Sequence, residues 1–233
     1  PEDMIATIRS RCRHLGLRIP TASAVADLLV REGVATPEVA LEAARAAQSH
    51  IGLARALARD PQMRERRRAI ITAPASVRSV GEAVMAADRL LETAKAQADA
   101  QVSERNAREK AELMRQLGMD EGESATKASR TMIRQLEEDQ KRRSKRALTD
   151  AIDRALIDLL AIYRDVLMVQ VGGDGELINT DLSDLVHEIA QDSTPRQTLA
   201  RVDHIETARK RLVSNGNPLL VLEDMAISLR PQA

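Results

Sequence analysis

Three features of the sequence predict an all-α fold. Side chains that fill sheet interiors are scarce, with one Tyr and no Phe or Trp in 233 residues, and the chain is rich in the helix formers Ala, Leu, Arg and Glu. The stretch from Ala147 to Val171 carries the longest uninterrupted helical period: Leu148, Ile152, Leu156, Leu159, Tyr163, Val166 and Gln170 recur on one side. Asp150, Asp153, Asp158, Arg164 and Asp165 mark the other side. Thr-Pro and Asn-Pro starts and Gly stops punctuate the rest at the spacing of short helices. At ~1.5 Å per residue the central stretch is roughly 35 Å long, so other helices must lie against it to bury its apolar stripe. Charged residues interrupt it at every turn, which excludes a membrane span.

The totals exclude several classes. The 35 basic residues balance the 35 acidic ones, so there is no global pull toward nucleic acid or an anionic membrane, and any such contact must be local. A single cysteine, Cys12, excludes an internal disulfide and suits a reducing, cytoplasmic setting. No signal peptide is visible, and the chain starts at Pro1 rather than Met, so a fragment lacking its N-terminal part is expected. His14, His50, His187 and His204 lie far apart with no Cys or carboxylate at ligand spacing, so no metal site is expected. No G-x-x-x-x-G-K-[ST] string occurs, so ATP binding in the usual manner is not expected.

Taken in order, residues 1–19 read as a short extended or looped piece closed by Pro20. Arg9, Arg11 and Arg13 alternate within it, which in an extended segment points them to one side. Such a trio either solvates a surface or grips an anion, since the guanidinium presents a planar fork of donors that fits a phosphate. The string Thr7-Ile8-Arg9-Ser10-Arg11-Cys12-Arg13 resembles the T-I-x-S-R-C motif of clamp-loader subunits, AAA+ proteins that open sliding clamps for replicative polymerases. The resemblance implies that Arg11 reaches the γ-phosphate of ATP held by a neighbouring subunit, as an arginine finger acting in trans. Ser10 and Cys12 would place the backbone, with Cys12 a small buried side chain.

Residues 20–60 read as three short helices. Thr21 or Ser23 caps the first, with Val25, Leu28 and Leu29 inward and a stop at Gly33. Thr36-Pro37-Glu38 starts the second, facing inward with Val39, Ala43 and Ala46. The third runs from His50-Ile51-Gly52 to Asp60-Pro61. This bundle is similar to the lid that follows the motif in clamp loaders. In ATP-binding members the third lid helix begins G-S-x-R-D-A-L, whose arginine senses nucleotide; here Gly52 and Arg55 remain while the rest of the wording is lost. That departure resembles the delta-prime branch of the bacterial family, which lends a finger without hydrolysing ATP, and leaves Arg55 as a sensor candidate or a solvated helix residue.

From Asp60-Pro61 a helix is expected through Met63 to Ile71, broken at Ala73-Pro74. Ser76 then caps a long helix buried through Val77, Val80, Val84, Leu91 and Ala94. Residues 99–117 and 123–146 predict a solvated antiparallel hairpin turning at 118–122, supported by Glu137 with Lys141, Glu138 with Arg142 and Asp139 with Arg143. The ridge from Lys141 to Arg146 is a solvated face or a local nucleic-acid contact. Gly172-Gly173-Asp174-Gly175 is a tight turn rather than a phosphate loop, because no strand precedes it. Asp181, Thr194-Pro195 and Asn217-Pro218 start the last three helices, the second carrying Leu199, Val202, Ile205 and Leu212 inward and ending at Asn215-Gly216. Tyr163-Arg164-Asp165, Leu177-Ile178-Asn179 and the C-terminal N-P-L-L-V-L-E string resemble the family's collar.

The resemblance thus implies the end of an ATPase domain (1–19), a lid (20–60) and an oligomerising collar (61–233). Its implied partners are the gamma/tau and delta subunits, with the sliding clamp and primed DNA met through the assembled complex. ATP and Mg would sit in the neighbouring subunit, and the family's zinc site would lie outside this chain. The chain itself would carry no catalytic centre, only membership of the polymerase holoenzyme. A gamma/tau fragment remains a rival, as does a helical scaffold or adaptor unrelated to replication.

Overall fold

The computed structural model describes residues 5, 7, 10–13, 16, 18–118 and 127–231, and every α-helix or 3-10 turn in it fits the all-α reading. Two compact units meet in the chain at Asp60 and Pro61.

Unit one holds α1 (Ala22–Arg31), α2 (Pro37–Ala46) and α3 (Ile51–Arg59). Thr21 caps α1, its Oγ1 accepting from the Ala24 amide at 3.2 Å, and Gly33 at φ +67° ends it by supplying the left-handed backbone of the cap. Val25, Leu29 and Leu57 fill the centre, and Ala40, Ala43, Ala44 and Ala54 let the helices approach closely. Val39, expected inward, is only half-buried. His50 caps α3, its Nδ1 accepting from the Leu53 amide at 3.0 Å.

Unit two is built on a long pair of helices, α5 (Val80–Gln116) and α6 (Lys127–Gln170). Before them, α4 (Pro61–Ser76) runs past the expected break, with Pro74 in its last turn. A proline there keeps helical φ and forfeits a single backbone bond, so the helix survives it. Ser79, not Ser76, caps α5. Its Oγ accepts from the Glu82 amide at 3.1 Å while the Glu82 carboxylate accepts from the Arg78 amide at 2.6 Å, a reciprocal cap. Ser76 instead donates to the Ala73 carbonyl. The buried face of α5 is Ala83, Ala87, Leu91, Ala94, Ala98 and Val102, whereas Val80 is exposed. The buried stripe is thus made mostly of alanines, whose methyl groups allow neighbouring helices to pack closely.

The Ala147–Val171 stretch is the C-terminal half of α6 and the axis of the unit. Its Ile152, Leu156, Leu159, Ile162 and Val166 meet Ile71, Ile205, Leu222 and Leu229 from the surrounding helices. Gly172 at φ +67° closes it, with the Gly173 amide donating to the Met168 carbonyl at 2.9 Å, so the glycines there form a helix cap. Asp181 caps nothing; it lies in a 3-10 turn (Thr180–Leu182) ahead of α7 (Ser183–Gln191), and its carboxylate faces Arg68 at 3.5 Å. A capping box of Thr194 and Gln197 starts α8 (Pro195–Val213), and Asn217 caps α9 (Pro218–Ser228). On α8 the inward residues are Thr198, Arg201, Ile205 and Ala208, while Leu199 is exposed. Arg201 sits over the Tyr163 ring, 5.8 Å from its centroid, and burial pushes the Tyr163 phenol up to about 12.

The end of α8 makes a sharp stop at Asn215 (φ 61°), with the Gly216 amide donating to the Arg211 carbonyl at 2.8 Å. A Cβ at Gly216 would stand 2.8 Å from that carbonyl oxygen, a backbone atom that cannot swing away. Gly216→Ala should therefore destabilise unit two by about 1–3 kcal/mol, lowering its thermal midpoint by several degrees in a circular-dichroism melt.

Where α5 and α6 leave the core they stay paired as a hairpin. Ala98, Val102 and Ala147 form its apolar base. Farther out the seam turns polar: Gln140 Nε2 donates to the Asn106 carbonyl at 2.9 Å, and Arg143 grips Asn106 Oδ1 at 2.7 Å and the Glu109 carboxylate at 2.8 and 3.1 Å. The expected pairs along α6 give way to others: Glu137 faces Lys110 across the hairpin at 3.9 Å and Arg143 crosses to Glu109, while along α6 itself Glu138 is bound by Arg134 and Asp139 by Arg142. The seam sets the pairing because the facing helix offers Arg143 a two-toothed carboxylate. The restart of helix expected at Glu123 or Ser124 lies outside the described residues.

Arg143 and Arg105 hold the Glu109 carboxyl well below the usual range, at about 2. A depressed carboxyl contributes stability above its unfolded pKa and loses it as pH falls through the folded one. Amide-exchange protection of residues 102–113, corrected for intrinsic rate, should thus fall as pH drops from about 4.5 toward about 2, and Glu109→Gln should remove that dependence.

Candidate functional site

Among its described residues the N-terminal motif presents two exposed guanidiniums, those of Arg11 and Arg13. Ser10 and Arg11 lie in a turn, tied by a bond from Ser10 Oγ to the Thr7 carbonyl at 3.2 Å. The backbone is therefore not extended there, so alternation does not set Arg11 and Arg13 on one side as expected; Arg9 lies outside the described residues. Arg11 is exposed and has no hydrogen-bond or ion-pair partner among the described residues. Cys12 is also exposed, which corrects the expectation of a small buried side chain. Among the described residues beside it in sequence, Ile5 and Ile19 are themselves 65% and 85% exposed.

Arg55 is engaged. Its Nε and Nη2 donate to the two oxygens of Glu32 at 2.9 and 2.8 Å, a fork-on-fork pair joining α3 to the end of α1. The contact raises the Arg55 pKa and lowers that of Glu32, each through the hydrogen bonds between them. Glu32 sits at the C-terminal end of α1, where a bare carboxylate opposes the helix dipole, and Arg55 offsets that charge. A sensor role would require the pair to open. The structure brings Ser10, Arg11 and Cys12 together and leaves Arg55 occupied.

Sequence reasoning missed a third constellation, a buried polar clasp in unit two. Asp165 is fully buried on α6, and its carboxylate accepts from the Ile178 amide at 3.0 Å, the Asn179 amide at 2.8 Å and Asn179 Nδ2 at 2.9 Å. Arg164 donates to it at 2.8 Å and also to the Glu176 carbonyl. From α4, Arg67 reaches in with Nε to Asp158 at 2.9 Å and Nη2 to Asn179 Oδ1 at 2.6 Å. Burial pushes the Asp158 carboxyl up, against the pull of Arg67. The clasp pins the segment after α6 back onto that helix, so Asp158 and Asp165, placed on the polar side by their period, are covered rather than solvated. Both oxygens of Asp165 and the Oδ1 of Asp158 are engaged, and the clasp positions rather than reacts.

Among the described residues there is no group of three His, Cys, Asp or Glu able to hold a metal, and no helix long and apolar enough to cross a membrane. No protein-family model and no solved structure match the chain. A stretch of 72 residues, 31% of this chain, is 36% identical to the DNA polymerase III subunit delta' of Bacillus subtilis (strain 168) and spans 22% of that protein's length. Over that stretch the chain is similar to a DNA polymerase III subunit.

Proposed function

We propose that the chain is part of a clamp-loader subunit of the delta-prime kind, which lends Arg11 to a triphosphate bound by a neighbouring subunit. The observation that carries this reading is the partnerless, exposed Arg11 within a Ser-Arg-Cys string, in a chain partly similar to a delta' subunit. A guanidinium free of internal carboxylates is available to an external phosphate, and its planar donors match the γ-phosphoryl oxygens. Residues 1–19 would then end an ATPase domain, 20–60 form its lid and 61–233 the collar. The partners would be gamma/tau and delta, with ATP and Mg held by gamma/tau, and the sliding clamp and primed DNA engaged by the assembly in the cytoplasm. This chain would contribute no catalytic centre of its own.

Arg55 is assigned a structural role, since its fork is filled by Glu32. The reading is tested by co-purification with gamma/tau and delta: a stable complex supports it, and failure to associate removes it. The paired helices of the hairpin favour a second reading, a helical adaptor that uses this arm to hold a partner; that reading gains if deletion of residues 103–142 abolishes a partner's binding while gamma/tau and delta fail to associate.

A further inference from the structure

Unit two carries an apolar recess that its own chain does not fill. Between α4, α5 and α9 lies an open groove of about 200 Å³. Leu159, Met225 and Leu229 belong to its buried lining and Ile70 and Leu90 to its half-buried one, and Ala73, Ala86 and Ala226 leave it open by contributing only methyl groups. The volume is below the ~300 Å³ at which small-molecule pockets begin, so the recess suits a few side chains rather than a cofactor. The charged residues that line it are Arg66 and Arg89, both basic, and no acidic residue is among the described residues of its wall. Arg89 is exposed and has no ion-pair partner among the described residues.

We infer that this groove docks an acidic amphipathic helix of a partner protein, which seats two aliphatic side chains in the recess and sets a carboxylate against Arg89. Apolar anchors one turn apart fit a groove running between helices, and the cationic rim selects the sign of the flanking charges. A basic peptide with the same anchors meets like charge at the rim and is turned away. The inference is independent of the role of Arg11, since it concerns other residues in the other unit.

The test uses the full chain and a fluorescent synthetic helical peptide with leucines four residues apart flanked by glutamates, beside a version with lysine in place of each glutamate. Anisotropy should show saturable binding of the glutamate peptide, weakened by salt, and binding of the lysine peptide about tenfold weaker or worse. Arg89→Glu should invert that preference. Ala226→Leu, which fills the recess, should abolish binding while the thermal midpoint is retained or raised, so that loss of binding is separated from loss of fold. Equal binding of both peptides, or unchanged binding by Ala226→Leu, overturns the inference. So does sedimentation showing a dimer that Ala226→Leu dissolves, because the occupant would then be a second copy, and so does anionic-vesicle binding lost in the same variant.

Discussion

Asp165→Ala should lower the thermal midpoint of unit two by about 10 °C. The substitution deletes the acceptor of four hydrogen bonds, one of them from Arg164, and leaves the Asn179 amide and side chain buried with no partner at that end. Breaking a buried charge-assisted network by removing one partner costs about 3–5 kcal/mol, and for a unit of this size each kcal/mol moves the midpoint by about 2–4 °C. Asp165→Asn keeps one acceptor and should fall between. The expected signature in a melt followed by circular dichroism is a shift of the unit-two transition with that of unit one unmoved. A shift below about 2 °C would mean that the segment after α6 is held by apolar contacts instead.

Arg11→Ala should have the opposite profile, with a large effect on a neighbour's chemistry and none on stability. The side chain is exposed and partnerless, so its removal disturbs no packing and the melt should be unchanged. On the proposed assignment its guanidinium meets charge developing on the transferred phosphoryl group, where arginine fingers contribute about 10³ to 10⁵ in rate. Arg11→Lys should recover little, because an ammonium is a point charge without the two-pronged donors that span phosphate oxygens. Arg13→Ala serves as a control for general loss of positive charge and should cost far less.

The helical class was legible because it rests on local signals. Composition, the period of Ala147–Val171, and the Thr-Pro and Asn-Pro starts each act within a few residues, and the structure reproduces those starts at Pro37, Pro195 and Pro218. The capping of α5 was legible too, since Ser79 with Glu82 is the S-x-x-E pattern of a capping box; the earlier Ser76 drew the start three residues too soon. What local pattern does not carry is pairing over distance. Arg67 meets Asp158 and Asn179 across 91 and 112 residues, and Arg55 finds Glu32 across 23. Periodicity put Asp158 and Asp165 on the wet side of α6 because it counts faces and not the segment that folds back over one of them. The same limit governs α5, whose buried stripe falls on Ala83, Ala87, Leu91, Ala94, Ala98 and Val102 while Val80 is exposed. At the N-terminus the motif singled out Arg11 as a candidate, but only the backbone showed the turn in which it lies exposed beside an exposed Cys12.

The most direct measurement for the proposed role is single-turnover ATP hydrolysis by a loader reconstituted from gamma/tau, delta and a protein containing this chain, with clamp and primed DNA present, comparing Arg11 with Arg11→Ala at equal complex assembly. With Arg11→Ala, one nucleotide site per loader should slow by about 10³-fold or more while the complex stays intact. Hydrolysis at the wild-type rate from every site, in a complex shown to contain the variant subunit, would contradict it.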